Sequence, residues 1–318
     1  MRTSLIGALL VVTSAVHAQA PDAAPLALLL PASTRATALG NAWVAGRDEY
    51  VLFYNPAQLV AGSGFGVSVG RYASGNTMAT LATAATVGPT TLGWGVQAVE
   101  FRTSAGTPYP FTPDVLATRG AVEAHSFVVV AGGAMTYKGF RAGLAGKYAE
   151  DLISATPSAG VAVAGTVGAR TAGTSGVRRG TFLADVGLAH ALWVGTAGLS
   201  VQNIGRGEKS GTSRIAAPLQ TSLAWAAQRQ AGQLDLGFAS QVTVRDKWVA
   251  PGAGIEVGYG WIEGLSVALR VGARRTETGA ERPVAVGATV NVDRLQLDYA
   301  LQSFEGARSA HRLTVRWR

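Results

Sequence analysis

Apolar side chains recur at every second position in segment after segment of this chain, and that period limits the possible fold more than any other feature. Leu265, Val267, Leu269 and Val271 alternate with Ser266, Ala268, Arg270 and Gly272. Leu295, Leu297, Tyr299 and Leu301 alternate with Arg294, Gln296, Asp298 and Gln302. Successive side chains of a strand face opposite sides, so each segment has one apolar wall and one polar or tiny wall. Glycine, at 41 of 318 residues, argues against a helical bundle, because each one weakens a helix interior. A soluble β-sandwich has the same alternation. Two features favour a membrane barrel. Charged residues make up only 14% of the chain, against roughly 25% in soluble domains. Aromatic residues stand at the ends of the apolar faces (Trp225, Trp261, Tyr299, Trp317), as an interfacial girdle requires.

Fifteen segments meet the pattern: 62–71, 77–87, 91–101, 124–135, 138–150, 157–168, 180–190, 193–203, 218–228, 232–244, 252–261, 264–274, 283–292, 294–303 and 310–317. Single-chain bacterial barrels have an even number of strands. Segment 157–168 lacks polar alternation and is assigned to a loop or a strand extension. The expected fold is therefore all-β, a transmembrane antiparallel up-and-down β-barrel of 14 strands over residues 62–318. Connections 102–123, 151–179 and 204–217 are expected as extracellular loops, and 229–231 and 261–263 as periplasmic turns.

Ahead of the barrel, residues 1–18 read as a signal peptide. Arg2 supplies the positive start, Leu5 to Val16 the apolar run, and Val16-His17-Ala18 the cleavage site. This implies export, with the outer membrane as the destination. Residues 19–61 contain no membrane-length strand, but they do contain Trp43, Phe53 and Tyr54, aromatics of the kind that bury. Asn55-Pro56 biases the chain toward a turn, and Pro56 suits the first position of a short helical turn through Ala57. Inward Gly254, Gly258, Gly260, Gly272 and Gly287 would let such a segment approach the wall.

Several stretches resemble the FadL-type outer-membrane proteins, and more closely their PorV/PorQ branch. The resemblance begins with Arg35-Ala36-Thr37-Ala38-Leu39-Gly40-Asn41-Ala42-Trp43 and the signature Asn55-Pro56-Ala57. It continues at Gly146-Lys147-Tyr148, Asp185-Val186-Gly187, Gln202-Asn203-Ile204-Gly205, and Leu297-Asp298-Tyr299 through His311-Arg312-Leu313. It spans roughly residues 32–318. Asn41 stands where a second glycine is usual, and Trp317-Arg318 stands where a terminal Phe is usual. The resemblance implies that residues 19–61 form a short N-terminal plug, with Gly40, Trp43, Asn55, Pro56 and Ala57 as its motif. It also implies transport of hydrophobic or small molecules through a plugged lumen or a lateral opening. The alternative it carries is an accessory barrel binding or shuttling exported proteins in a type IX-like secretion system.

Enzyme chemistry finds little support. His125, His190 and His311 are far apart, no metal-ligand spacing occurs, and the absence of cysteine removes thiolate sites. No catalytic residue, metal or cofactor is assigned. The net charge of +8 is scattered, without a basic helix or RNA-binding signature, so nucleic acid is not an expected partner. Asp185, Asp235, Glu256, Arg270, Arg294, Asp298, Arg312 and Arg316 are expected to face the lumen and pair across it. Leu313, Val315 and Trp317 form the lipid wall of the C-terminal assembly strand, which the barrel-assembly machinery would read. Outer-membrane lipid is then the partner of the apolar wall, and a hydrophobic ligand or secretion proteins would be the cargo. An arginine at Leu269 or Leu297 should be damaging, whereas Gln296→Arg should be tolerated on a lumenal face.

Overall fold

A computed structural model describes residues 25–72, 76–103, 120–157, 175–205, 209–210, 213–214, 217–245, 248–276, 281–304 and 309–317. The expected signal peptide and residues 158–168 lie outside these. The strands are β1 (Gly64–Tyr72), β2 (Asn76–Val87), β3 (Thr90–Thr103), β4 (Gly120–Tyr137), β5 (Phe140–Pro157), β6 (Ser175–Ala191) and β7 (Thr196–Ile204). Then follow β8 (Lys209–Ser210), β9 (Ser213–Arg214), β10 (Gln220–Ala231), β11 (Leu234–Arg245) and β12 (Trp248–Ile262). The last four are β13 (Leu265–Arg274), β14 (Glu281–Val292), β15 (Leu295–Phe304) and β16 (Ser309–Trp317). β8 and β9 pair only with each other, and the other fourteen close an antiparallel barrel in which β1 pairs with both β2 and β16. The fourteen strands are those that the alternation predicts.

Six connections at one end of the barrel are short: 88–89, 138–139, 192–195, 232–233, 263–264 and 293–294. Positive φ angles at Gly88, Lys138, Gly139, Gly195, Gly232, Gly264 and Asp293 give them the twist that short hairpins need. The expected turns at 229–231 and 261–263 move to 232–233 and 263–264, because pairing continues through Ala231 and Ile262. At the other end, residues 102–103, 120–123, 151–157 and 175–179, expected in loops, are sheet. Arg102 pairs with Glu123, and Leu152 with Arg178. The outward positions there carry Glu100, Arg102, Glu123, His125 and Arg178, so the apolar alternation stops while the hydrogen-bonded ladder continues.

The period-two faces take the expected sides. Leu269, Leu297, Leu313, Val315 and Trp317 point outward and are exposed, while Arg270, Gln296, Asp298, Arg312 and Arg316 point inward and are buried. The outer surface is a continuous apolar band, of the kind a bilayer covers.

Residues 25–63 run inside the lumen in short pieces, which satisfy their backbone groups with local caps. α1 (Leu26–Leu29) is followed by α2 (Thr34–Ala38), whose N-cap Ser33 accepts from the Ala36 amide. Two 3₁₀ turns follow, at Glu49–Phe53 and Pro56–Ala61. Asp48 caps the first by accepting from Tyr50 N, and Asn55 caps the second by accepting from Ala57 N. Pro56 stands at the start of the second, where its missing N–H costs nothing.

Candidate functional site

The lumen is where the chemistry concentrates, and its first element is a seat of bare backbone. Gly40 has φ +66° and lies against the carbonyls of Ala253 and Ala273. Opposite it, a Cβ on Gly254 or Gly272 would stand 2.6 Å from Leu39 Cα, and one on Gly287 would stand 2.6 Å from Ala38 Cβ. Gly252 meets the Gly40 carbonyl in the same seat. The corner Ala38–Gly40 therefore touches β12 to β14 without intervening side chains. Gly258 and Gly260, also expected to receive the segment, face a vestibule instead.

A chain of charges ties the segment to the wall beside that seat. Arg35 of α2 donates to both carboxylate oxygens of Glu256 on β12, at 3.1 and 2.7 Å. Arg270 on β13 also donates to Glu256, and it donates to Asp298 on β15 at 3.0 Å. Gln296 donates to Asp298 at 2.9 and 2.8 Å, and its own amide oxygen accepts from Arg316 at 3.0 Å. Arg316 on β16 ends the chain in a bidentate grip on Glu49, at 2.8 and 2.7 Å. Three guanidinium groups meet three carboxylates, so burial leaves no net charge, and the forked contacts are the strong kind.

Further contacts hold the rest of the segment. Arg312 is buried and donates to Ser68 Oγ and Thr80 Oγ1 at 2.7 Å each, and to the carbonyls of Pro31 and Ala32 between the two helices. Gln241 accepts from the amides of Trp43 and Val44, both at 3.0 Å. Trp43 Nε1 donates to Asp48 at 3.0 Å. Asn55 Nδ2 donates to the carbonyls of Val44 at 3.0 Å and Leu188 at 3.3 Å, and Ala57 is fully buried. Tyr54 Oη accepts from the amides of Ala32 and Ser33, and burial pushes its phenol up to about 12, so it stays a neutral acceptor.

The two sides of the lumen differ. The chain of charges from Arg35 to Glu49 lines β12 to β16 and the Lys147–Asp185 pair sits on β5 and β6, whereas an apolar cluster lines β1 to β6 and β15 in the half nearer the long connections. Val99, Phe101, Val128, Leu183 and Phe304 pack there around Leu26 and Leu30 of the segment. At the short-turn end, a polar vestibule of about 630 Å³ opens between Arg47, Asp235, Gly258, Gly260 and Arg270.

Three expectations change. Arg294 lies in the 293–294 turn, exposed at the vestibule rim rather than on a strand's inner wall, because β15 begins one residue later. Asp185 pairs at 2.6 Å with Lys147 rather than with an arginine. Gln296 faces inward as expected, but both ends of its amide are engaged, by Asp298 and Arg316, so an arginine there should be less well accommodated than the alternation alone suggests. Linear spacing does not reveal which strand a lumenal side chain reaches, so it assigns no pairing role to Arg35, Glu49, Lys147 or Gln241. His125, His190 and His311 all lie on the outer face; His311 bonds Tyr299 Oη at 2.7 Å. Among the described residues, no group of three or more His, Asp or Glu is placed to hold a metal.

No known family profile matches the sequence, and no curated protein matches it either. Solved structures do. The toluene transporter TbuX of Ralstonia pickettii superposes with a TM-score of 0.59 at 11% identity, covering 89% of this chain and 96% of that one. The monoaromatic hydrocarbon channel CymD gives 0.58 at 9% identity, covering 91% and 96%. The Pseudomonas putida toluene transporter TodX gives 0.55 at 11%, covering 88% and 95%. At these identities the likeness establishes the fold alone, a closed fourteen-stranded antiparallel barrel.

Proposed function

We propose that this chain is a non-enzymatic outer-membrane barrel through which small hydrophobic molecules cross, with residues 19–61 as its plug. The observation that carries this reading is the apolar lining of the lumen around α1. On that side Phe101, Val128 and Leu183 pack around Leu26 and Leu30, with Gln97 and Ser126 bonding the α1 backbone among them, and burying a solute's apolar surface there favours it by roughly 25 cal/mol per Å². Proteins of the same fold described as toluene transporters and a monoaromatic hydrocarbon channel support that class of cargo. Export by residues 1–18 and assembly through the strand bearing Leu313, Val315 and Trp317 complete the reading.

Uptake of a radiolabelled monoaromatic hydrocarbon by cells with and without the protein tests it. Val128→Asp should abolish the protein-dependent uptake while the barrel keeps its heat-modifiable mobility on gels. Uptake that does not depend on the protein would reject transport. The stretches that resemble PorV supply the alternative, an accessory barrel for exported proteins. That alternative predicts loss of surface-exposed cargo proteins when the chain is deleted, with hydrocarbon uptake unchanged.

A further inference from the structure

We propose that the outer wall at β10 to β13 carries a seat for one anionic glycerophospholipid of the leaflet at the short-turn end. A groove of about 800 Å³ crosses these strands on the outside. Leu192, Leu223, Trp225 and Val242 border it, and its floor is small because Ala253 and Ala273 sit side by side on β12 and β13. The groove is continuous with the apolar band that lipid covers, so its occupant is an acyl chain.

The turn at its edge points to the headgroup. Five of the six short turns read Gly-Pro, Lys-Gly, Gly-Gln, Glu-Gly and Asp-Arg, but the sixth is Leu192-Trp193-Val194-Gly195. It is held in place, with Leu192 N donating to Gly195 O at 2.9 Å and Trp225 Nε1 donating to Val194 O at 3.0 Å. That fixed turn leaves Trp193 99% exposed. An indole held out in this way suits the membrane interface, where its ring meets lipid and its N–H meets headgroups. Arg229 is exposed on the same outward face of β10, four residues beyond Trp225 toward the short-turn end. Groove, indole and guanidinium together match an acyl chain, a glycerol region and a phosphate.

Native mass spectrometry of the full chain, extracted from phosphatidylethanolamine membranes containing phosphatidylglycerol or phosphatidylcholine, tests the seat. One phosphatidylglycerol should remain bound. Arg229→Gln should weaken its retention roughly fivefold, and Ala273→Trp, which fills the groove floor, should remove it. The chain has no cysteine, so Trp193→Cys gives a unique site for a nitroxide. That label should collide with oxygen more than with a water-soluble nickel chelate, and the same label on Lys138→Cys should do the reverse. Equal retention of phosphatidylcholine, or retention unchanged in both groove variants, overturns the proposal. A water-exposed label at position 193 also overturns it, and would assign the turn to a soluble protein partner.

Discussion

Glu49 accepts two bonds from Arg316, and neither side chain has water to fall back on. Glu49→Gln therefore leaves a buried guanidinium without its carboxylate, at a cost of about 3–5 kcal/mol. Denaturant unfolding in lipid vesicles measures this, and an unchanged midpoint would mean that water reaches the pair. On the lipid wall, Leu269→Arg should cost ~2–4 kcal/mol near the midplane. Gly260→Ser, inward but with open space where its Cβ would stand, should stay within about 0.5 kcal/mol. Which wall each residue faces was legible in the sequence, because the period of two assigns Leu269 and Arg270 to opposite sides without further information. What fills the inner wall was not. Gln296 reads as a spare polar position until Arg316 and Asp298 are seen on either side of it.

The strands were legible where apolar and polar residues alternate, and they were cut short where charges take over the outer face. Thus β3 to β6 run past the limits that alternation suggests, since backbone pairing does not need an apolar partner face. The short lumenal elements were legible only at their caps: Asn55 and Pro56 announce a turn, but α1 and α2 are too short to show a helical period. Their position depends on the glycine seat. Gly272→Val would drive a side chain into Leu39 and Gly40 while leaving the ladder of β13 intact. The barrel should still form and keep its heat-modifiable mobility, but Arg35 and Arg47 should become open to trypsin. Equal protease resistance in the variant would mean that the segment does not rest on this seat.

For the whole molecule, a closed sheet satisfies every strand edge, and its apolar exterior leaves the lumen as the place for polar chemistry. The lumenal segment divides that space into an apolar half toward the long connections and a polar vestibule toward the short turns. Its ion-pair anchors lie on β12 and β16. If the segment is a plug, ions should find no continuous water path through the intact barrel, because an electroneutral belt of ion pairs occupies the middle. The direct measurement is single-channel conductance in planar bilayers, comparing the intact protein with a variant lacking residues 21–56 that retains its signal. Little conductance is expected from the intact barrel, and a large, sustained rise after the deletion. An intact protein that already conducts like an open pore, with no change on deletion, would contradict this expectation.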